Sequence, residues 1–385
     1  MAEENETKEK KSKPKAGSPY ALAGIIVVVI IVAAFAVYYY SGNLGAQNQN
    51  NANNGAGNNK QNTNGNAGSG TAKVQVTLVY SAKCTVCDKS NSALLFLDQK
   101  RIPYELKAID AESAEGKKLA AEYGIIAVPA LLVDSNALSL YAGVDKIFGR
   151  QFAKKNGNYI VPETFLDGIP RQTMYLEPQS TECSPQSGFV TVDEFFDFKC
   201  APCNGALPLV SRLKQDLNSE MLFRNRNYVL LGAPSERVAV AYECAKLEGK
   251  GDEFMAMAFD RMFGEKTPLR DLISIDQNTR DYYITDDQKF FDELEGIAKS
   301  IEIQNIPSFG KCYLKNETLG IAGKNGTDAI FGGKFGIKWV PTFVVDCQYV
   351  IPGADPVIGG NQSTIDNAVC LLHPELKACQ PQPKK

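Results

Sequence analysis

The chain has 385 residues, 44% of them hydrophobic, which is enough for two ordinary domains with attached segments. A net charge of −3 argues against the broad basic field that nucleic-acid binding uses. A single histidine, His373, leaves no His-rich metal site and no His-dependent triad, and neither a metal nor a cofactor is expected. Ten cysteines are the unusual feature: two C-x-x-C pairs, Cys84/Cys87 and Cys200/Cys203, and an even remainder of six. Such a set fits an oxidising compartment, where structural disulfides persist.

Residues 1–19 are charged, with lysines at 8, 10, 11, 13 and 15. Residues 20–40, from Tyr20 to Tyr40, carry no charge and would span about 31 Å as a helix, one bilayer core. Lysines precede this span and none follows until Lys60, which predicts a single-pass anchor with a cytoplasmic N-terminus. Tyr38, Tyr39 and Tyr40 then fall at the outer interface. A cleaved signal peptide, cut near Gly45 or Ala46, is the alternative, although its apolar region is usually only about 7–15 residues. Residues 41–71 include eleven Asn and seven Gly, a composition that buries no core and predicts a flexible linker. Sequons at Asn316, Asn325 and Asn361 are compatible with an exported surface.

Residues 74–80 read as a buried strand, with Cys84-Thr-Val-Cys87 at its end and helical spacing over 90–99. The pair therefore falls where a helix begins. Free N–H groups and a partial positive charge there stabilise a thiolate, and Lys83 adds to the field. Thiolate is the species that attacks a disulfide, so Cys84 is the expected nucleophile and Cys87 the resolving thiol. A zinc ribbon is the rival reading, but its second pair would follow about 15–20 residues later; here Cys200 lies 113 residues beyond Cys87. Further on, Val128-Pro129 heads an apolar strand, and residues 156–162 are loop-like and assigned to no element.

An aromatic-rich strand over 188–198 delivers Cys200-Ala-Pro-Cys203 to a second helix start, where Pro202 suits an early position because its N–H is not needed. Glu194 lies six residues before Cys200, either buried or facing solvent. A second Val-Pro, Val340-Pro341-Thr342, heads another apolar strand. Pro129 follows Cys84 by 45 positions, whereas Pro341 follows Cys200 by 141. The excess is mostly helical in pattern, with a capped helix over 235–248 and another over 287–300. The six remaining cysteines permit fifteen pairings. Cys370 and Cys379 flank a short turn, and Cys244 and Cys312 share the helical insert, so these two bridges are the candidates. A buried free thiol is the alternative for Cys244. His373 reads as a capping or surface residue.

Strand, C-x-x-C, helix and downstream Val-Pro resemble thioredoxin-superfamily domains. The first unit is similar to glutaredoxin and thioredoxin over roughly 73–145, with Leu78 where the second unit has Glu194. The second is similar to the bacterial disulfide oxidase DsbA over roughly 186–378, on Glu-Phe-Phe-x-Phe and Val-Pro-Thr-Phe-Val-Val. It departs in having Ala-Pro between its cysteines, where DsbA has Pro-His. The resemblance implies an α/β fold: two thioredoxin-like domains in tandem, 72–180 and 181–385, the second with a helical insert at about 215–330, after a single transmembrane helix. It implies that Pro129 and Pro341 are cis, that Val128 and Val340, with Thr342, contact a substrate strand, and that Glu194 moves a proton to or from Cys203.

The function so implied is a membrane-anchored, extracytoplasmic thiol–disulfide oxidoreductase that forms or isomerises disulfides in exported cysteine-containing proteins. Its terminal acceptor would be a membrane quinone-linked partner of the DsbB or vitamin K epoxide reductase type. A reductase, or a redox-inert tethered chaperone using the same groove, stays open. Direction follows from potentials, where 30 mV is about 1.4 kcal/mol, and sequence does not set them.

Overall fold

The computed structural model describes residues 73–84, 87, 92–141, 143–162, 172–183, 189–217, 220–353 and 364–380. The expected membrane span at 20–40, the linker at 41–71 and Asn361 lie outside these residues. Among the described residues no helix is long and apolar enough to cross a membrane.

Alternating burial sets the first strand, β1 (Val74–Tyr80), whose Val74, Val76 and Leu78 point into one core while Val79 reaches another. Helix α1 (Ser92–Gln99) leads to β2 (Tyr104–Asp110), parallel to β1. Helix α2 (Ala114–Tyr123) starts where the Ser113 hydroxyl accepts from the Gly116 N–H and stops at left-handed Gly124. Two short strands, β3 (Ala127–Val128) and β4 (Ala130–Asp134), flank Pro129. Helices α3 (Ser135–Leu138) and α4 (Val144–Gln151) precede the hairpin β5 (Ala153–Lys155) and β6 (Asn158–Pro162). The first sheet runs β2-β1-β4-β6-β5.

The segment 156–162, read as loop from sequence, is therefore a turn and a strand. Asn156 and Gly157 form its tip with φ of 46° and 79°, the doubly positive pair that a tight hairpin turn needs. The Asn-Gly dipeptide was the signal, obscured by the polar, exposed Ala153–Lys155 that pairs with it.

The second sheet begins with β7 (Thr173–Tyr175) and continues, after a single turn at Thr181–Cys183, with β8 (Val190–Phe196), every residue of which is buried. Helix α5 (Ala201–Asp216) carries the chain to β9 (Met221–Asn227), parallel to β8. The helical insert follows: α6 (Ala233–Leu247), α7 (Gly251–Phe263), α8 (Pro268–Asp271), the hairpin β10 (Ile273–Ile275) and β11 (Tyr282–Ile284), α9 (Asp287–Ser300), α10 (Ile306–Leu314), α11 (Leu319–Ala322) and α12 (Thr327–Gly333). Then β12 (Thr342–Val345), β13 (Tyr349–Pro352) and α13 (Thr364–Leu372) follow. The sheet order is β3-β7-β13-β12-β8-β9.

The insert therefore starts after β9 rather than near 215. Met221–Asn227 reads as polar because Arg224 and Arg226 occupy alternate positions, yet both face buried Asp193 on β8 at 2.6 and 2.8 Å. Ser235 is not the cap of α6; it lies inside the helix, which opens after Gly232 with Pro234 in its first turn. Apolar burial on nearly all sides holds α6, with its Tyr242, in a core shared with Phe196, Phe198 and Phe259.

A disulfide joins Cys244 on α6 to Cys312 on α10, so Cys244 is not a free thiol. Replacing both by alanine is expected to lower stability by about 2–4 kcal/mol, read from the denaturant midpoint. An unchanged midpoint would show that this bridge constrains nothing.

Candidate active site

Buried β8 ends at Phe196; Asp197 follows it, and the next three residues bring the chain to Cys200 at the start of α5. Asp197 is itself buried and accepts from four groups: the N–H of Lys199 (2.7 Å), those of Leu230 and Leu231 (both 2.9 Å), and the Ser235 hydroxyl. One carboxylate thus ties the dithiol loop to the first turn of the insert. Nothing in the sequence singled it out, because Asp in Phe-Asp-Phe-Lys matches no spacing rule.

Cys200 caps α5: its Sγ accepts from the Cys203 N–H at 3.3 Å and lies 3.3 Å from the Val340 carbonyl oxygen, to which the thiol donates. The hydrogen bond from the Cys203 thiol holds Cys200 below an ordinary thiol, against burial, and the Cys203 N–H adds to the lowering. Burial pushes the Cys203 thiol far up, and its bond to Cys200 pushes it further. The two sulfurs are thereby set apart, one readily ionised and one held as thiol.

Glu194 faces the same side of β8 as Phe196, opposite Phe343 of β12. It is 2% exposed, and its Oε2 has no hydrogen-bond partner among the described residues. Burial pushes its carboxyl up to about 8, with the Lys214 ammonium pulling the other way. Its charge is felt at both sulfurs. The solvent-facing alternative is thus overturned.

The peptide bonds before Pro129 and Pro341 are both cis. Thr342 lies in β12 opposite Phe195, and its hydroxyl donates to the Trp339 carbonyl at 2.8 Å. The structure thus brings Cys200, Cys203, Glu194, Val340 and Pro341 into one site.

The other pair stands elsewhere. Cys84 and Cys87 form a disulfide, with Cys84 in a core cluster separate from that of Cys200 and Cys203. Residues 85, 86 and 88–91 are outside the description, so the expected helix start at this pair is too; α1 is described from Ser92. Lys83 does not simply add positive field, since Glu112 meets it at 3.4 Å. Two further disulfides join Cys370 to Cys379 and Cys183 to Cys347. His373 is half-buried rather than on the surface, bonded to Asp346 and, at 3.0 Å, to Glu375. Burial disfavours its charge, but these two carboxylates outweigh that and raise its pKa.

No family model matches the chain, and no curated protein matches it. Among solved structures it is similar to reduced DsbA1 from Neisseria meningitidis, at 20% identity and a TM-score of 0.36, over 56% of this chain and 96% of that one. It is also similar to a thioredoxin-like oxidoreductase from Silicibacter pomeroyi, at 21% identity and 0.31, over 43% and 79%. DsbA from Xylella fastidiosa gives 16% identity and 0.34, over 51% and 88%. With TM-scores below 0.5 these likenesses say nothing about chemistry, which rests here on the dithiol, the carboxyl and the proline.

Proposed function

We propose that this chain is a membrane-anchored, extracytoplasmic thiol–disulfide oxidoreductase that forms or isomerises disulfides in exported proteins. The observation that carries this reading is the setting of Cys200: its sulfur lies between the Cys203 N–H and the Val340 carbonyl, with the buried carboxyl of Glu194, pushed up to about 8, felt at both sulfurs.

Starting from a Cys200–Cys203 disulfide, a client thiolate attacks Cys200. The bond between the two cysteines breaks, and Cys203 leaves as a thiolate that takes up a proton, which Glu194 can supply. A second client thiolate then attacks the client sulfur of the mixed disulfide. Cys200 leaves as the more stable thiolate, and two electrons have passed from client to enzyme. The client strand pairs alongside Val340, flanked by exposed Trp339. A cleft of about 610 Å³ beside Ala201, lined by Lys199, Arg270, Met262, Phe263, Gln277 and Tyr282, offers the client's neighbouring side chains a mixed polar and apolar wall with two cations. Reoxidation requires an acceptor, for which we propose a membrane quinone-linked protein of the DsbB or vitamin K epoxide reductase type. The first domain, whose β2-β1-β4-β6 order repeats the β9-β8-β12-β13 order of the second, is proposed as a glutaredoxin-like companion.

The test is trapping. The Cys203→Ser variant in cells is expected to accumulate mixed disulfides through Cys200 with exported proteins, and these disappear when Cys200 is also replaced. Their absence would sink the exchange reading and favour a redox-inert adaptor.

A further inference from the structure

The two Val-Pro segments are not in the same state. In the second domain residues 338–340 belong to no strand. In the first domain the corresponding Ala127–Val128 is a strand, and its partner is β7 of the same chain. The pairing is antiparallel, Ala127 opposite Tyr175 and Val128 opposite Met174, and is extended by the Leu176 N–H donating to the Ile126 carbonyl at 2.9 Å. This edge is where an incoming peptide adds its backbone hydrogen bonds. It is already taken.

The occupant is firmly held. The other edge of β7 pairs with β13, Tyr349 opposite Met174, and the Tyr175 N–H donates to the Gln348 carbonyl at 2.8 Å. Met174 and Tyr175 are buried, and the Tyr175 ring meets Phe335 edge-on. Cys84, only 2% exposed, lies in the same core cluster as Met174, Val192, Phe343 and Ile365. A client strand could pair with Val128 only if β7 left, which would strip the edge of the second sheet and uncover that core.

We propose that Thr173–Tyr175 is a built-in occupant of the first domain's peptide-binding edge, so that the Cys84–Cys87 disulfide is closed to client chains and the first domain serves to dock the second. This rests on the reading above, in which a Val-Pro segment seats the client. One exchange site, not two, then serves the client proteins.

The test uses the oxidised full-length chain, exposed to a thiol-bearing peptide, alkylated at timed points and quantified cysteine by cysteine by peptide mass spectrometry. Cys84–Cys87 is expected to open about 100-fold more slowly than Cys200–Cys203, because a peptide strand must wait for β7 to leave. Leu176→Pro, which removes the N–H bonded to Ile126, is expected to speed the first pair about tenfold and leave the second unchanged. In a capture assay with a cystine-containing peptide, Cys203→Ser is expected to form a mixed disulfide and Cys87→Ser none. Equal opening of both pairs in the wild type, no acceleration in Leu176→Pro, or capture by Cys87→Ser would each overturn the proposal. If instead neither Cys200–Cys203 opening nor Cys203→Ser capture were seen, the exchange function would fall while this closure stood.

Discussion

Glu194→Gln is expected to slow formation of Cys200 mixed disulfides from the oxidised enzyme by about 100-fold, the usual share of a positioned acid–base group. The carboxyl titrates at about 8, so below that pH it holds a proton for the departing Cys203 thiolate, and above it the proton is gone. The ratio of wild-type to variant rate should therefore be largest near neutrality and close towards one above pH 8. Stopped-flow measurement with a thiol peptide from pH 6 to 9 reads this directly. A constant ratio across that range would remove Glu194 from the proton path. Stability carries the same signature. The folded carboxyl, raised from 4.5 to about 8, keeps a proton that the unfolded chain releases, so stability falls as pH rises through this window and levels off beyond it. The wild type should lose on the order of 3 kcal/mol relative to the glutamine variant between pH 5 and 9, visible in urea midpoints.

The second large effect is expected at Asp197. Truncation to alanine leaves the N–H groups of Lys199, Leu230 and Leu231 and the Ser235 hydroxyl without their acceptor. Buried donors left unpaired cost about 1–3 kcal/mol each, so a loss of at least about 3 kcal/mol follows even after partial relaxation. Asparagine does not repair the site: whichever oxygen becomes the amide turns a donor towards donors. The Asp197 carbonyl also accepts from the Cys200 N–H at 3.0 Å, so loosening this turn should slow alkylation of Cys200 in whatever variant remains folded. A denaturant midpoint within about 1 kcal/mol of wild type would show that the four bonds are replaceable.

What the sequence disclosed about this molecule followed from signals that are local. Apolar strands leading to C-x-x-C, the Val-Pro dipeptides and the 287–300 helix, begun by Asp286, are all visible within about ten residues, and the helix has the bounds that its spacing predicts. What stayed hidden was set by partners far along the chain. Met221–Asn227 looks unlike a strand until Asp193 is placed beside Arg224 and Arg226. Asp197 looks ordinary until Leu230, Leu231 and Ser235 fold onto it. The pairing of Ala127–Val128 with Thr173–Tyr175 involves strands of two and three residues, too short to leave any periodicity. The residues of the proposed exchange site were legible because they are rare residues at fixed spacing; the pairing at Val128 was not, because it is made by backbone.

The bridge from Cys183 to Cys347 spans 164 positions and encircles the helical insert, Cys200, Cys203 and Pro341 alike. Once it is closed, this stretch of chain is a covalent ring. A single proteolytic nick anywhere on its circumference releases no fragment, and Cys200 and Cys203 stay joined to Pro341 until a reductant opens the ring.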